Sequence, residues 1–245
     1  VGVTLVCSKI TFTVLIFMRR FFHYPLPATG NTVHLDEQAS HHLLRVVGIA
    51  VNEEVVLFDG QGRSCHAVLK GVEKGIAVLE IKNEIKSASE KTEEYWLLVS
   101  LVRPNPFSTV LRMATELGVH HIVPVLSSRS IQRAGKIERW KKIVLSSAQQ
   151  CGRSDVPTVY DVHSLENALD LIEHVDQKWL FHPHDSIEVN SDIKTSGSQA
   201  ILVGPEGGFT ESELLLAKEK RCVQKTLGGL MFRTDTAVAV VLSYV

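Results

Sequence analysis

The spacing of apolar positions changes character about a third of the way along the chain. Up to residue 88 they come in short runs closed by turn residues, which predicts strands rather than helices. Val55-Val-Leu-Phe58 ends in the turn dipeptide Asp59-Gly60, His66 to Lys70 stops at Gly71, and Ile76 to Ile81 alternates loosely with polar residues. One helical stretch, Asp36 to Val46, interrupts them and carries His41, His42 and Arg45. Several short strands in a stretch of this length predict a small β-barrel. Residues 83 to 94 have no apolar period and read as a linker.

From Tyr95 onward strands and helices alternate. Tyr95 to Val102 reads as a buried strand, and Phe107 to Leu117 as a helix with Val110, Leu111, Ala114 and Leu117 on one face and Gly118 at its end. Val119 to Val125 predicts a strand. Ile137, Trp140, Val144 and Ala148 mark one amphipathic helix; Leu165, Ala168, Ile172 and Val175 mark another, capped by Ser164. A strand at Lys178 to Phe181 follows. Two similar units then close the chain. Ala200 to Val203 reads as a strand, Gly204, Gly207 and Gly208 as a loop, and Thr210 with Glu213 as a capping box that opens a helix. A strand to Leu227, the pair Gly228-Gly229, Arg233 and a helix capped by Thr234 or Asp235 repeat the plan. Such alternation predicts an α/β domain, a parallel sheet with helices on both faces. The last helix, Ala237 to Tyr244, is apolar nearly all round and must be buried, within the domain or against another subunit.

The chain has 245 residues, 44% of them apolar and 22% charged, enough for one large domain or two modest ones. A net charge of −1 gives no global attraction to nucleic acid, so any such case rests on local clusters. One exists: Arg129, Arg133, Lys136, Arg139, Lys141, Lys142 and Arg153 face a single acid, Glu138. About half of these are expected to be solvated helix charges and the rest phosphate contacts. Arg19 and Arg20 form a second cluster. The four cysteines show no metal-binding or disulfide spacing, which points to no metal and to a reducing, cytoplasmic setting. Residues 1 to 17 are apolar but short for a membrane span and broken by Lys9. They break with the composition of the rest and are expected to be a non-native extension ahead of Met18. No G-x-G-x-x-G follows the first strand of the second region, and no Walker lysine is present, which excludes the common dinucleotide and nucleotide-hydrolase patterns.

Gly204-Pro-Glu-Gly-Gly-Phe209, followed by Leu227-Gly228 and Arg233-Thr-Asp-Thr-Ala237, resembles the RsmE family. Members are SPOUT-class methyltransferases that methylate N3 of a uridine in bacterial 16S rRNA. Ser127-Ser-Arg-Ser130, Gln150-Cys-Gly-Arg-Ser154 and Thr115-Glu-Leu-Gly118 also match the family. The resemblance implies a PUA-like RNA-binding barrel over 18–88 and a SPOUT domain with a trefoil knot over 89–245. It implies a homodimer acting on the small ribosomal subunit. It places S-adenosyl-L-methionine against Leu202, Val203, Gly204, Gly207, Gly208, Leu227, Gly228, Leu230 and Phe232. Arg233 is then expected to stabilise charge on the uracil oxygens, with Glu206 and Asp235 accepting the N3 proton or orienting Arg233. Arg19, Arg20, Arg45, Arg129 and Arg153 are the expected RNA contacts. Glu116, poorly placed for the dipole at its helix end, is expected to have a partner.

The chain departs from the family at Arg103-Pro-Asn-Pro-Phe107, where a basic glycine-rich loop is usual, at Met113 and at Asp235. Two other readings stay open: a SPOUT enzyme acting on tRNA or a ribose 2′-OH, and a non-catalytic RNA-binding assembly protein.

Overall fold

A computed structural model describes residues 3–7, 10–14, 19–85, 93–131, 136–182, 187–188 and 197–244. It divides into two compact units. The first is Val1–Ala88 joined by Gln149–Asp155, and the second is Ser89–Ala148 with Val156–Val245.

In the first unit β1 (Val3–Cys7) and β2 (Ile10–Val14) pair antiparallel and form a two-stranded sheet of their own. Met18, the expected opening of the chain proper, lies outside the described residues. A five-stranded sheet follows: β3 (Arg20–Phe22), β4 (Thr32–His34), β5 (Glu54–Phe58), β6 (Ser64–Glu73) and β7 (Ile76–Ile85), in the order β3-β5-β6-β7-β4. β6 and β7 meet at Lys74-Gly75, both at positive φ (49° and 86°), a two-residue turn whose twist suits a hairpin. That hairpin runs longer than the hydrophobic pattern predicts. Cys65 pairs with Glu84 and Ser64 with Ile85, so pairing register carries the strand past Ile81 into the expected linker. Residues 86–92 lie outside the described set.

The helical interruption begins as predicted. Asp36 Oδ1 accepts from Ala39 N at 2.7 Å and caps α1 (Glu37–His41). The chain then widens into a π-helical stretch, His42–Val47, and stops at Gly48 in the left-handed region. Leu43 is fully buried, and Leu44 and Val47 pack on the same core as Phe21, Leu57 and Leu79. Gln149–Asp155 joins this unit through Gly62 N on the Ser154 carbonyl (3.1 Å) and Arg20 on Ser154 Oγ (2.8 Å).

The second unit begins with β8 (Tyr95–Ser100), α2 (Pro104–Glu116), β9 (His121–Leu126) and α3 (Ile137–Cys151). The two-residue strands β10 (Thr158–Val159) and β11 (His163–Ser164) precede α4 (Leu165–Leu171). Then come β12 (Gln177–Phe181), β13 (Ile187–Glu188), β14 (Gln199–Val203), α5 (Glu211–Glu219), β15 (Val223–Thr226) and α6 (Thr234–Leu242). The strands form one parallel sheet, β10-β9-β8-β14-β12-β15-β13, with β11 beside β9. The central strands β8 and β14 are buried on both faces, from Leu97 to Val99 and from Ile201 to Val203. Phe107, Leu111, Trp140, Val144, Val238 and Val241 bring α2, α3 and α6 onto one face. Leu165, Leu169 and Ala217 bring α4 and α5 onto the other.

Arg103-Pro-Asn-Pro-Phe107 is the entry to α2 rather than a loop before it. Pro104 takes a first-turn position, where a missing N–H costs nothing. Ser164 Oγ caps α4 as expected, accepting from Asn167 N at 3.2 Å.

Because β1 and β2 pair only with each other among the described strands, a chain beginning at Met18 should keep its thermal stability. We expect a melting temperature within about 2 °C of the full chain, well under 1 kcal/mol. A larger fall would place residues 1–17 in the fold.

Candidate functional site

β14 and β15 flank β12, so the two glycine loops leave the same edge of the sheet with one strand end between them. In parallel sheets this carboxyl edge is where ligands collect. A cleft opens there, about 550 Å³ with its mouth included. Its walls come from Phe181 and His182 at the end of β12, Val203 to Glu206 and Gly208 at the end of β14, Leu227 and Leu230 to Phe232 after β15, and Thr234 and Ala237 of α6.

The first loop leaves no room for side chains of its own. Gly208 sits at φ +67°, and a Cβ there would meet His182 Cε1 at 3.1 Å. A Cβ on Gly207 would meet the Arg129 side chain at 3.2 Å. Backbone therefore faces the cleft bare, with His182 and Arg129 packed against it.

A single carboxylate holds this loop to the one after β9. Glu213 is 8% exposed. Its Oε2 accepts from Thr210 N at 2.7 Å, and Thr210 Oγ1 accepts from Glu213 N at 3.3 Å, which completes the predicted capping box. Its Oε1 reaches the other loop and accepts from Ser128 N at 2.7 Å. Beside it, Arg129 Nη1 donates to the Gly207 carbonyl at 2.6 Å. Burial pushes the Glu213 carboxyl up, but the donors at Thr210 and Ser128 outweigh it and hold the group below its ordinary value.

The second loop is tied back by Thr234, whose Oγ1 donates to the Gly204 carbonyl at 3.1 Å. The helix begins one residue earlier than predicted, so Thr234 is its first residue rather than its cap. Arg233 occupies the cap position without a capping bond, and Asp235 Oδ1 accepts from Thr236 N at 2.9 Å instead.

Of the residues singled out in the sequence, Val203, Gly204, Glu206, Gly208, Leu227, Leu230 and Phe232 line the cleft. Leu202 is buried in β14 behind it, while Gly207 and Gly228 belong to the loops without lining the walls. Arg233 is exposed at the start of α6, and among the described residues no ion pair links it to Glu206 or Asp235. Arg129 lies on the glycine loop. Arg20 is half-buried, its guanidinium 5.3 Å over the Phe58 ring and bonded to Ser154, and Arg153 pairs with Asp155. Arg19 and Arg45 are exposed. Glu116 is exposed too, with no partner among the described residues, contrary to expectation. No group of three or more His, Cys, Asp or Glu among the described residues could hold a metal ion. The pattern reading missed His182 and Met231 as lining residues and gave Thr234 only a capping role; the one signal for His182 is its position after the end of β12.

Residues 89–245 match the RNA methyltransferase domain family and residues 35–82 the RNA methyltransferase PUA domain family. Similar curated proteins include the Ribosomal RNA small subunit methyltransferase E of Bacillus subtilis, 27% identical over 86% of this chain and 88% of that protein. That of Aquifex aeolicus is 29% identical over 87% and 93%. A crystal structure of a Ribosomal RNA small subunit methyltransferase E from Neisseria gonorrhoeae, bound to S-adenosyl methionine, matches with a TM-score of 0.86 at 35% identity. The match covers 92% of this chain and 95% of that one.

Glu213→Gln should loosen both loops together. An amide oxygen can serve one end, but its NH2 then faces a backbone N–H at the other. We expect a loss of about 2 kcal/mol, several degrees of melting temperature. A carboxylate held below its ordinary value contributes stability that is full above its unfolded value and is lost as pH falls through its folded value. The gap between wild type and variant should therefore close on acidification. A gap constant with pH would show that ionisation of Glu213 is not what holds the loops.

Proposed function

We propose, since the chain belongs to the RNA methyltransferase family and within it to the small-subunit methyltransferase E group, that it methylates N3 of a uridine in 16S rRNA from S-adenosyl-L-methionine. The observation that carries this reading is the cleft between the two glycine loops.

The residues present fit such a cofactor. Gly208 presents bare backbone at a φ that side chains avoid, and Phe181, Val203, Leu227 and Ala237 supply apolar walls. The backbone of Gly204 to Gly208 and of Leu227 to Leu230 would hold it. Bound there, the cofactor supplies an electrophilic methyl group on a sulfonium.

The chain itself has to place the base and manage charge. Uridine N3 gives up its proton as the new N–C bond forms, and Glu206, on the cleft wall, is the acceptor we assign. Arg233, exposed at the amino end of α6, meets the negative charge that develops on the uracil oxygens. The positive end of that helix adds to the same field. We assign Asp235, which does not line the cleft, to orienting Arg233 once RNA is bound.

Three architectural readings go with this one. The chain after β15 passes back over β12 to put Thr234 on Gly204 and α6 against α2, a path that supports threading into a trefoil knot. The five-stranded sheet of the first unit, wrapped on one core, supports a closed PUA-like barrel. Leu230 and Met231, 74% and 65% exposed at the cleft mouth, support a homodimer whose second copy covers them. No helix among the described residues is long and apolar enough to cross a membrane, and we place the protein in the cytoplasm, with its substrate.

Nucleoside mass mapping of 16S rRNA from a deletion strain, before and after complementation, tests the activity; no change in N3-methyluridine would sink it. Two variants should separate binding from catalysis. Gly208→Val should abolish S-adenosylmethionine binding in calorimetry while the protein stays folded, because a branched side chain collides with His182 at a positive φ. Arg233→Ala should leave that binding within a few-fold and slow turnover by roughly 10²–10³-fold. Equal loss of cofactor affinity in both would move Arg233 from catalysis to binding.

A further inference from the structure

α4 and α5, on one side of the sheet, carry both signs at their surface: Glu166, Asp170, Glu211 and Glu219 beside Lys218, with Lys220 bonded to Asp170. α3 packs on the other side through Trp140 and Val144, in the same core as Phe181 and Val203 of the cleft wall. There Lys136, Arg139, Lys141 and Lys142 meet one acid, Glu138, and Lys141 pairs with it at 3.1 Å. Lys136, Arg139 and Lys142 are exposed and have no hydrogen bond or ion pair from their side chains among the described residues. At intervals of three they form one strip along the first two turns of the helix.

That strip sits at the wrong end of its helix for stability. The amino end of a helix is the positive pole of its dipole, and each cation there costs about 0.3–1 kcal/mol. A merely solvated face has no reason to concentrate cations against that field. A polyanion gains from both, since side chains and dipole then pull in the same direction. Of the other described cations in the cluster, Arg129 is engaged with Gly207, Lys141 with Glu138 and Arg153 with Asp155.

We propose that Lys136, Arg139 and Lys142 form a docking strip for the phosphate backbone of the RNA substrate, on the face of the sheet that also bears the cleft. The strip rests on the functional reading above for the identity of that RNA, and positions it without touching the reacting base.

The test is the triple variant Lys136→Gln, Arg139→Gln, Lys142→Gln, with Lys141→Gln as the control from the paired position. Removing cations from the helix start should leave the melting temperature equal or higher, and S-adenosylmethionine binding unchanged. Affinity for 16S rRNA is measured by titration across a series of KCl concentrations. The slope of log K against log[KCl] should fall in magnitude by roughly two to three for the triple variant, and hardly for Lys141→Gln. KM for 16S rRNA should rise at least about tenfold with kcat within twofold, since the strip acts on docking alone. An unchanged slope overturns the strip while leaving the methyltransferase reading intact. A wild type that binds RNA with the expected slope change but methylates nothing keeps the strip and removes the functional reading. A wild type that binds no RNA overturns both. Poly-glutamate bound by wild type and not by the triple variant, with the RNA slope unchanged, would assign the strip to an acidic protein instead.

Discussion

The cleft depends on a carboxylate that has been taken out of water. Glu213 accepts from backbone N–H groups of two loops, Thr210 on its own and Ser128 on the one after β9. A buried carboxylate without donors would be strongly unfavourable; with them it becomes a rigid joint. Arg129 on the Gly207 carbonyl is the second member of that joint, and the glycine loop is held between them. The loop can expose bare backbone because its shape is fixed from behind by these contacts rather than by side chains in front.

Much of this was legible in the chain. Thr210 and Glu213 announce the capping box, and the alternation after Tyr95 announces a parallel sheet with both faces covered. Gly208 marks the first loop because no other residue suits a positive φ beside the packed His182 ring. What pattern could not give was anything set by strand order. That Phe181 and His182 stand between the two loops follows from β12 lying between β14 and β15, and periodicity carries no such information. The second bond of Glu213, to a residue 85 positions away, is invisible for the same reason. The cap of α6 failed differently: Thr234 has the right chemistry for a cap, but the helix starts at Thr234 itself, which leaves Arg233 in the cap position and the Thr234 hydroxyl on the Gly204 carbonyl.

The first unit shows the same limit at short range. Asn83-Glu84-Ile85 is too polar to read as strand, yet it pairs with Ser64 to His66 of β6, beyond the turn at Lys74-Gly75 and two register shifts. Backbone pairing continues through those shifts for as long as both chains run side by side, whatever the polarity of the side chains. Arg63 Nε on Glu84 at 3.0 Å then gives the polar pair a cross-strand use.

The bond from Thr234 to Gly204 also has a bearing on how the molecule is made. The cleft's far wall lies between Thr226 and Ala237, and is synthesised after Phe181 and Val203. Until α6 arrives, the apolar ends of β12 and β14 have no lid, and the sheet carries an open greasy edge in a crowded cell. Docking of α6 is thus the step that closes that edge, and it comes last in the order of synthesis.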